Sequence, residues 1–391
     1  MKILGIESSC DDTSVSLIEA SETGFVVLAE KTASQIDIHK KYGGVIPEVA
    51  ARAHAEFILP LIEEVMQGQE KPDVIAVTAG PGLMTALLVG VEAARTLSYL
   101  WDVPLVRVNH IEGHMLSVLI QSLPLQGGAG GGLSTHKTDN LKVETVRGPH
   151  LTSPYRGGNP TIQFPALALV VSGGHTELML IKSFGEYEKI GKTMDDASGE
   201  CFDKVAKLLG LEYPGGPKIS KLALEGNARA IQFPRPMIHE NTFNFSFAGL
   251  KTAALYWLRD NQLSAVRINS INLPAGIFGV TPEPPTLSDF CASFEQAITD
   301  VLVTKTMKAA KQYNPKTILL GGGVSANKKL RETLEKEIKL QSPETQFLVP
   351  EFKYAMDNAT MIAVAGYFKA KENDFTSWKD LKADPQWELG E

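Results

Sequence analysis

The sequence predicts a two-lobed α/β protein closed around a ligand cleft, on three observations. At 391 residues the chain exceeds what one hydrophobic core ordinarily organises, so it should divide into two lobes. One pattern occurs twice. Residues 3–7 read as a strand, Ser8-Ser9-Cys10-Asp11-Asp12-Thr13 as a tight polar turn and 14–18 as a returning strand, and 166–171, Ser172-Gly173-Gly174-His175-Thr176 and 177–181 repeat it. Finally, two apolar strands run into glycines and then a helix. Residues 74–77 enter Ala79-Gly80-Pro81-Gly82-Leu83, and 317–320 enter Gly321-Gly322-Gly323-Val324-Ser325-Ala326-Asn327 before a periodic helix over 328–340.

Each element carries chemistry. Two hairpin turns facing one another would aim backbone N–H groups and hydroxyls at a shared ligand, with phosphate the obvious candidate. The glycines at 321–323 permit close approach to the backbone, and the following helix N-terminus favours a nucleotide or phosphate. Between these lies a segment with Asp195-Asp196-Ala197-Ser198-Gly199-Glu200, Asp203-Lys204 and Pro214-Gly215-Gly216. Its carboxylates suit ribose hydroxyls or a metal, while Asp195 is also placed to cap a helix.

The most specific signal is His110-Ile111-Glu112-Gly113-His114, after an apolar run ending in Val106-Arg107-Val108 and with Asn109 placed as a helix cap. Histidines four apart share a helix face, so both imidazoles can reach one ion, and the distant Asp357 of Asp357-Asn358-Ala359-Thr360 can supply a third ligand. Two His and one carboxylate leave coordination positions open, as in a metal that meets substrate. The zinc-peptidase motif of the same spacing puts glutamate directly after the first histidine. Ile111 holds that place here, which disfavours a peptidase.

Composition bounds the rest. With 43% hydrophobic and 21% charged residues the chain is that of a soluble globular protein, and it has no apolar run long enough to span a bilayer. Lys2-Ile3-Leu4-Gly5-Ile6 enters a strand without the regions of a signal peptide, so the chain is expected to stay in the cytoplasm. Cys10, Cys201 and Cys291 are odd in number and lack paired spacing, so free thiols in a reducing compartment are expected. No base stands near Cys10 in the sequence, which argues against a nucleophile. A net charge of −7 argues against nucleic-acid binding by bulk electrostatics. Any such partner must meet a local patch, for which His39-Lys40-Lys41, Lys305 with Lys308 and Lys311, and Lys328-Lys329 with Arg331 are candidates beside the plainer reading of solvated helix faces.

Seven ordered motifs carry a family resemblance: Ile6-Glu7-Ser8-Ser9-Cys10-Asp11-Asp12-Thr13, Gly43-Gly44-Val45-Ile46-Pro47-Glu48, Gly80-Pro81-Gly82-Leu83, Asn109-His110-Ile111-Glu112-Gly113-His114, Val171-Ser172-Gly173-Gly174-His175-Thr176, Phe245-Ser246-Phe247-Ala248-Gly249-Leu250-Lys251-Thr252 and Gly321-Gly322-Gly323-Val324-Ser325-Ala326-Asn327. Together they resemble the TsaD family, the tRNA threonylcarbamoyladenosine synthase subunit once described as an O-sialoglycoprotein endopeptidase. The resemblance implies a fold of the actin, sugar-kinase and Hsp70 type, the ASKHA fold, with a duplicated hairpin core and a nucleotide cleft. It implies transfer of a threonylcarbamoyl group from threonylcarbamoyl-adenylate to N6 of adenosine 37 in tRNAs reading codons that begin with A.

By the same resemblance, His110, His114 and Asp357 would hold one divalent metal per subunit, Fe2+ in preference to Zn2+. Donor contacts would come from Val171, Ser172, Gly173, Gly174, His175, Asp203, Gly216 and Asn327, and Asp11 would orient the reacting group. The implied partners are tRNA, a TsaB-like paralogue, a TsaE-like small ATPase and an upstream TsaC/Sua-type adenylate synthase, without a membrane. Expected divisions are a first lobe at 1–123, a flexible insertion rich in Gly, Ser, Thr and Pro at 124–160, a second lobe at 161–349 with an extended loop at 263–285, and a C-terminal segment at 350–391 returning to the first lobe. Asp12 departs from the family pattern, where glutamate is more usual. A nucleotide-switched scaffold or a small-molecule kinase would use the same cleft, but neither gives a reason for the His110, His114 and Asp357 trio.

Overall fold

The computed structural model describes residues 1–120, 160–261 and 285–390, together with the backbone of two strands at 134–138 and 141–150. Two sheets organise it. The first contains β1 (Lys2–Glu7), β2 (Asp12–Ser21), β3 (Gly24–Ser34), β4 (Val74–Gly80) and β5 (Leu105–Asn109), with β6 (Ser134–Thr138) and β7 (Leu141–His150) added at its edge. The second contains β8 (Ala166–Val171), β9 (Thr176–Ser183), β10 (Glu186–Lys192), β11 (Thr317–Gly321) and β12 (Gln346–Leu348).

The duplication legible in the hairpins extends to whole sheets. Strand order is β3-β2-β1-β4-β5 in one and β10-β9-β8-β11-β12 in the other. In each, the first strand pairs antiparallel with the second and parallel with the fourth.

Period-two alternation decides which way each strand faces. Leu4 and Ile6 of β1 pack outward with the helices Pro47–Met66 and Met84–Trp101, whereas Ile3 turns to the space between the sheets. On β8, Leu167, Leu169 and Val171 meet the second lobe's helices, while Ala166, Ala168 and Val170 face inward. The inward faces enclose two helices, His110–Leu116 and Ala359–Lys371. Since Ala359–Lys371 lies between two apolar faces, it is apolar all round, with Met361, Ile362, Ala363, Val364 and Ala365 fully buried. Two glycines let it sit close. A Cβ on Gly366 would lie 2.4 Å from Ala76 Cβ, and one on Gly5 would lie 2.2 Å from the Ala359 carbonyl oxygen.

Two expectations change. The insertion at 124–160 reads by average composition as unstructured, yet β7 pairs with the β3 edge and β6 with β7. The alternation in Leu141-Lys142-Val143-Glu144-Thr145-Val146 suits an edge strand, and the surrounding glycines mask it in an average. The rest of that segment, and the loop at 263–285 except Pro285, lie outside the described residues. The grouping of Lys305, Lys308 and Lys311 does not form a free basic face. Lys305 is fully buried in the helix Leu287–Tyr313 and donates to the Thr242 carbonyl at 2.7 Å, and Lys308 donates to the Glu240 carbonyl at 2.8 Å. Among the described residues no helix is long and apolar enough to cross a membrane.

Candidate metal centre and ligand cleft

β5 ends at Asn109, whose side-chain oxygen accepts from the Ile111 N–H at 2.9 Å and starts the helix His110–Leu116, as its position in the sequence suggests. All seven residues of that helix are buried. His110 and His114 stand one turn apart, their ring centroids 4.5 Å from each other. From the other enclosed helix, Asn358 caps the N-terminus by accepting from Met361 N–H at 2.9 Å, and this fixes Asp357 just outside it.

The three side chains converge. Asp357 Oδ1 lies 3.5 Å from His110 Nε2 and 3.1 Å from His114 Nε2, and one ligand atom from each residue falls within 4.8 Å of the others. The donor set fits a divalent cation. Both ring nitrogens of His114 are buried and make no hydrogen bond of regular geometry among the described residues, although Asp357 Oδ1 lies 3.1 Å from Nε2. Leaving such atoms bare costs free energy that a cation on Nε2 would offset. Against the effect of burial, the Glu7 and Asp357 carboxylates hold His110 up at about 9. Asp357 itself, although burial pushes the other way, is held well below the usual carboxylate range by His110 and His114. Burial and the neighbouring His110 lower His114.

The first hairpin turn lies beside this trio. Glu7, at the end of β1, is fully buried and faces His110 Nδ1 at 3.1 Å. Asp11 accepts from the Tyr213 hydroxyl at 3.2 Å, and burial together with Asp357 raises its carboxyl. His54 braces the turn, with Nδ1 2.7 Å from Thr13 Oγ1 and Nε2 3.0 Å from the Cys10 carbonyl. Cys10 is half-buried, and burial pushes its thiol well up.

In the second turn, Ser172 N–H donates to the His175 carbonyl at 2.8 Å and His175 N–H to Ser172 Oγ at 3.1 Å. Gly173 and Gly174 stand in open space, with nothing within 4 Å of where a Cβ would be. Val171 is different, since its side chain belongs to the second lobe's core. Asp203 accepts from Gly215 N–H at 2.7 Å and more weakly from Gly216 N–H at 3.4 Å, so it caps the helix Gly215–Ala223 from outside. Asn327 caps the helix Lys328–Gln341 by accepting from Leu330 N–H at 2.8 Å, and its amide donates to Ser220 Oγ and Glu295. These two residues build the walls of the cleft whatever else they touch.

The glycine loop is used differently from the sequence expectation. A Cβ on Gly321 would lie 2.5 Å from the His114 carbonyl oxygen, and one on Gly322, at φ +85°, would lie 2.4 Å from the Val171 carbonyl oxygen. Their bareness lets this loop pass between the metal helix and the second hairpin. Asp195 does cap a helix, but a distant one, accepting from Phe247 N–H at 2.7 Å and Ala248 N–H at 3.1 Å. Asp196 pairs with Lys204 and Lys251.

Several residues at the site escape sequence reasoning: Thr78, Tyr213, Tyr187 and the C-terminal residues at 384–390. Trp387 offers its carbonyl to the Asn109 amide at 3.1 Å, and Glu388 pairs with Lys189 and Lys192 of β10. A cavity of about 530 Å³ opens beneath them, lined in part by Pro81, Ile111, His175, Lys189 and Trp387. One signal was visible for Glu7, a lone carboxylate closing an apolar strand.

Comparison with known proteins identifies the family. The profile of the TsaD family, tRNA N6-adenosine threonylcarbamoyltransferase, matches residues 26–128 and 134–364. The tRNA N6-adenosine threonylcarbamoyltransferase of Listeria monocytogenes serotype 4b (strain CLIP80459) is 42% identical over 390 residues, covering 98% of this chain and 95% of its own. That of Geotalea uraniireducens (strain Rf4) is 40% identical over 393 residues, covering 100% and 97%. The chain belongs to the TsaD family. Within it, the reading as a tRNA-modifying acyltransferase replaces the scaffold and kinase alternatives. Two solved structures share the fold alone: full-length HypF in its phosphate- and nucleotide-bound form (TM-score 0.53, 11% identity, 96% of this chain) and T. kodakarensis HypF (TM-score 0.51, 13% identity, 97% of this chain). The chain spans about half the length of each, 47% and 49%. TsaD membership and these neighbours bear out the ASKHA expectation.

Proposed function

We propose that this chain transfers a threonylcarbamoyl group from threonylcarbamoyl-adenylate to N6 of adenosine 37 in tRNAs reading codons that begin with A. The observation that carries the reading is the convergence of His110, His114 and Asp357 beside a turn with open glycines. Those three residues would hold one divalent ion, Fe2+ or Zn2+, which when bound supplies a Lewis acid that polarises the carbamoyl carbonyl toward the weakly nucleophilic exocyclic amine. In the second turn the backbone N–H groups of Gly173 and Gly174, rather than those of Ser172 and His175, would receive the adenylate phosphate as charge develops on it. Asp203 and Asn327 hold the helix ends that would frame the nucleoside, with Gly216 in the turn that Asp203 caps. Asp11, tethered by Tyr213, orients the reacting group. The acceptor base must leave its loop stack to reach an ion held there.

The same reading gives the chain tRNA as a partner, a cytoplasmic setting, and dependence on a TsaB-like paralogue and a TsaE-like ATPase downstream of a TsaC/Sua-type synthase. It divides the chain into lobes at 1–123 and 161–349, with 350–391 returning to the first. Reconstitution with synthetic donor and tRNA tests it: mass spectrometry of the nucleosides should show threonylcarbamoyladenosine when the accessory proteins are present. Multiple turnover by the isolated chain would refute the dependence, and no product in the full mixture would refute the reaction.

A further inference from the structure

We propose that Glu7 is a positioning residue of the metal centre, holding His110 in the Nδ1–H tautomer so that Nε2 offers its lone pair to the cation. This rests on the reading of His110, His114 and Asp357 as ligands. The argument begins with an oddity of β1, a strand whose residues Ile3, Leu4, Gly5 and Ile6 are buried, and which ends in a fully buried carboxylate. A buried charge requires specific partners. Glu7 Oε1 accepts from the Ser9 N–H at 2.6 Å, and Oε2 accepts from the Thr78 hydroxyl at 2.5 Å. Oε2 also lies 3.1 Å from His110 Nδ1. An ionised carboxylate only accepts, so the hydrogen on this contact belongs to Nδ1. Nε2 is then the ring atom left for a cation, which would displace the proton the metal-free ring carries there, and it faces Asp357 Oδ1 at 3.5 Å.

The two histidines are unequal in consequence. His114 Nδ1 is buried with no partner among the described residues, so nothing fixes its tautomer or raises its basicity. A carboxylate behind a ligating imidazole orients the ring and strengthens it as a ligand. His110 should be the anchoring ligand and His114 the adjustable one. Ser9 Oγ, 3.2 Å from His110 Nδ1, adds a second acceptor on the same side.

Glu7→Gln probes this because it keeps the shape. The backbone N–H of Ser9 still requires an acceptor, so the amide oxygen takes that place and the NH2 group faces His110 Nδ1. Two donors cannot share the contact, and His110 is driven to the Nε2–H tautomer, which has no lone pair for a cation at Nε2. The experiment is competitive titration of Zn2+ and Co2+ into wild type, Glu7→Gln and Thr78→Val, with melting temperatures, alongside 15N-histidine spectra of the Zn2+-loaded wild type. Glu7→Gln should bind Zn2+ about 10- to 100-fold more weakly, Thr78→Val should fall between, and wild-type His110 should show protonated Nδ1 with metal-shifted Nε2. A merely structural Glu7 would lower melting temperature in Glu7→Gln and leave Zn2+ affinity within twofold, which would overturn the proposal. Should Glu7→Gln fail to fold, the wild-type spectrum decides alone, and an unprotonated His110 Nδ1 overturns it. Wild type that binds neither ion would instead remove the underlying metal reading.

Discussion

The Tyr187 hydroxyl donates to Glu112 Oε1 at 2.8 Å, tying strand β10 to the helix that carries the two histidines. Glu112 is two residues from each histidine, which puts it on the opposite face of that helix. Its other oxygen makes no hydrogen bond among the described residues and lies 3.8 Å from Lys369 Nζ. A glutamate so placed would not reach water on an ion held by the two histidines.

Glu112→Gln should therefore retain full metal and most transfer activity. Tyr187→Phe should lower stability by about 1–3 kcal/mol, since it strands a buried carboxylate oxygen, and should also keep its metal. Metal analysis and thermal melting check both, and a Glu112→Gln protein that is dead with metal intact would give this glutamate the role denied to it.

Gly5→Ala places a methyl group against the Ala359 carbonyl, two residues beyond Asp357. Overpacking of this kind costs about 1–3 kcal/mol, and relief by shifting the helix would displace Asp357. Melting temperature and Zn2+ affinity should fall together in this variant.

How much of this was legible in the sequence depends on distance along the chain. Local signals held: both hairpins, the Asn109 cap and the glycine-ended strands stand where the pattern puts them. Asp357 could be named because motif resemblance bridged the gap, but neither the tether of Asp11 to Tyr213 nor the Trp387 carbonyl at Asn109 has a local signature. Gly321 and Gly322 were visible as glycines, yet that protein backbone rather than ligand crowds them follows only from packing. Within the 124–160 segment, averaging over glycines hid the alternation of β7 at 141–150.

Removal of that segment is informative. Replacing residues 126–159 by a short Gly/Ser linker strips β7 from the β3 edge and leaves a row of unpaired backbone groups. Donor affinity should stay at the wild-type value while melting temperature falls modestly. Loss of donor binding, measured by calorimetry, would show that the insertion contributes to the cleft.

Burial holds the His175 imidazole down at about 3, below the ~6.5 of an unfolded chain. As pH falls through ~6.5 the unfolded chain takes up a proton that the folded protein refuses, so the stability tied to this group is complete above ~6.5 and is lost progressively toward 3. Denaturant titrations of metal-free protein between pH 7 and pH 5 should show wild type losing stability faster than His175→Asn. Parallel curves would contradict the placement of a neutral imidazole there.

The central claim, threonylcarbamoyl transfer at a metal held by His110, His114 and Asp357, is tested most directly by one comparison. Wild type and Asp357→Ala, each with the accessory proteins, synthetic threonylcarbamoyl-adenylate and unmodified tRNA, are assayed for modified adenosine by mass spectrometry, with bound metal measured on the same samples. Wild type should form the product with one divalent ion per chain, and Asp357→Ala should lose both together. Product formed at the wild-type rate by an Asp357→Ala protein would contradict the account.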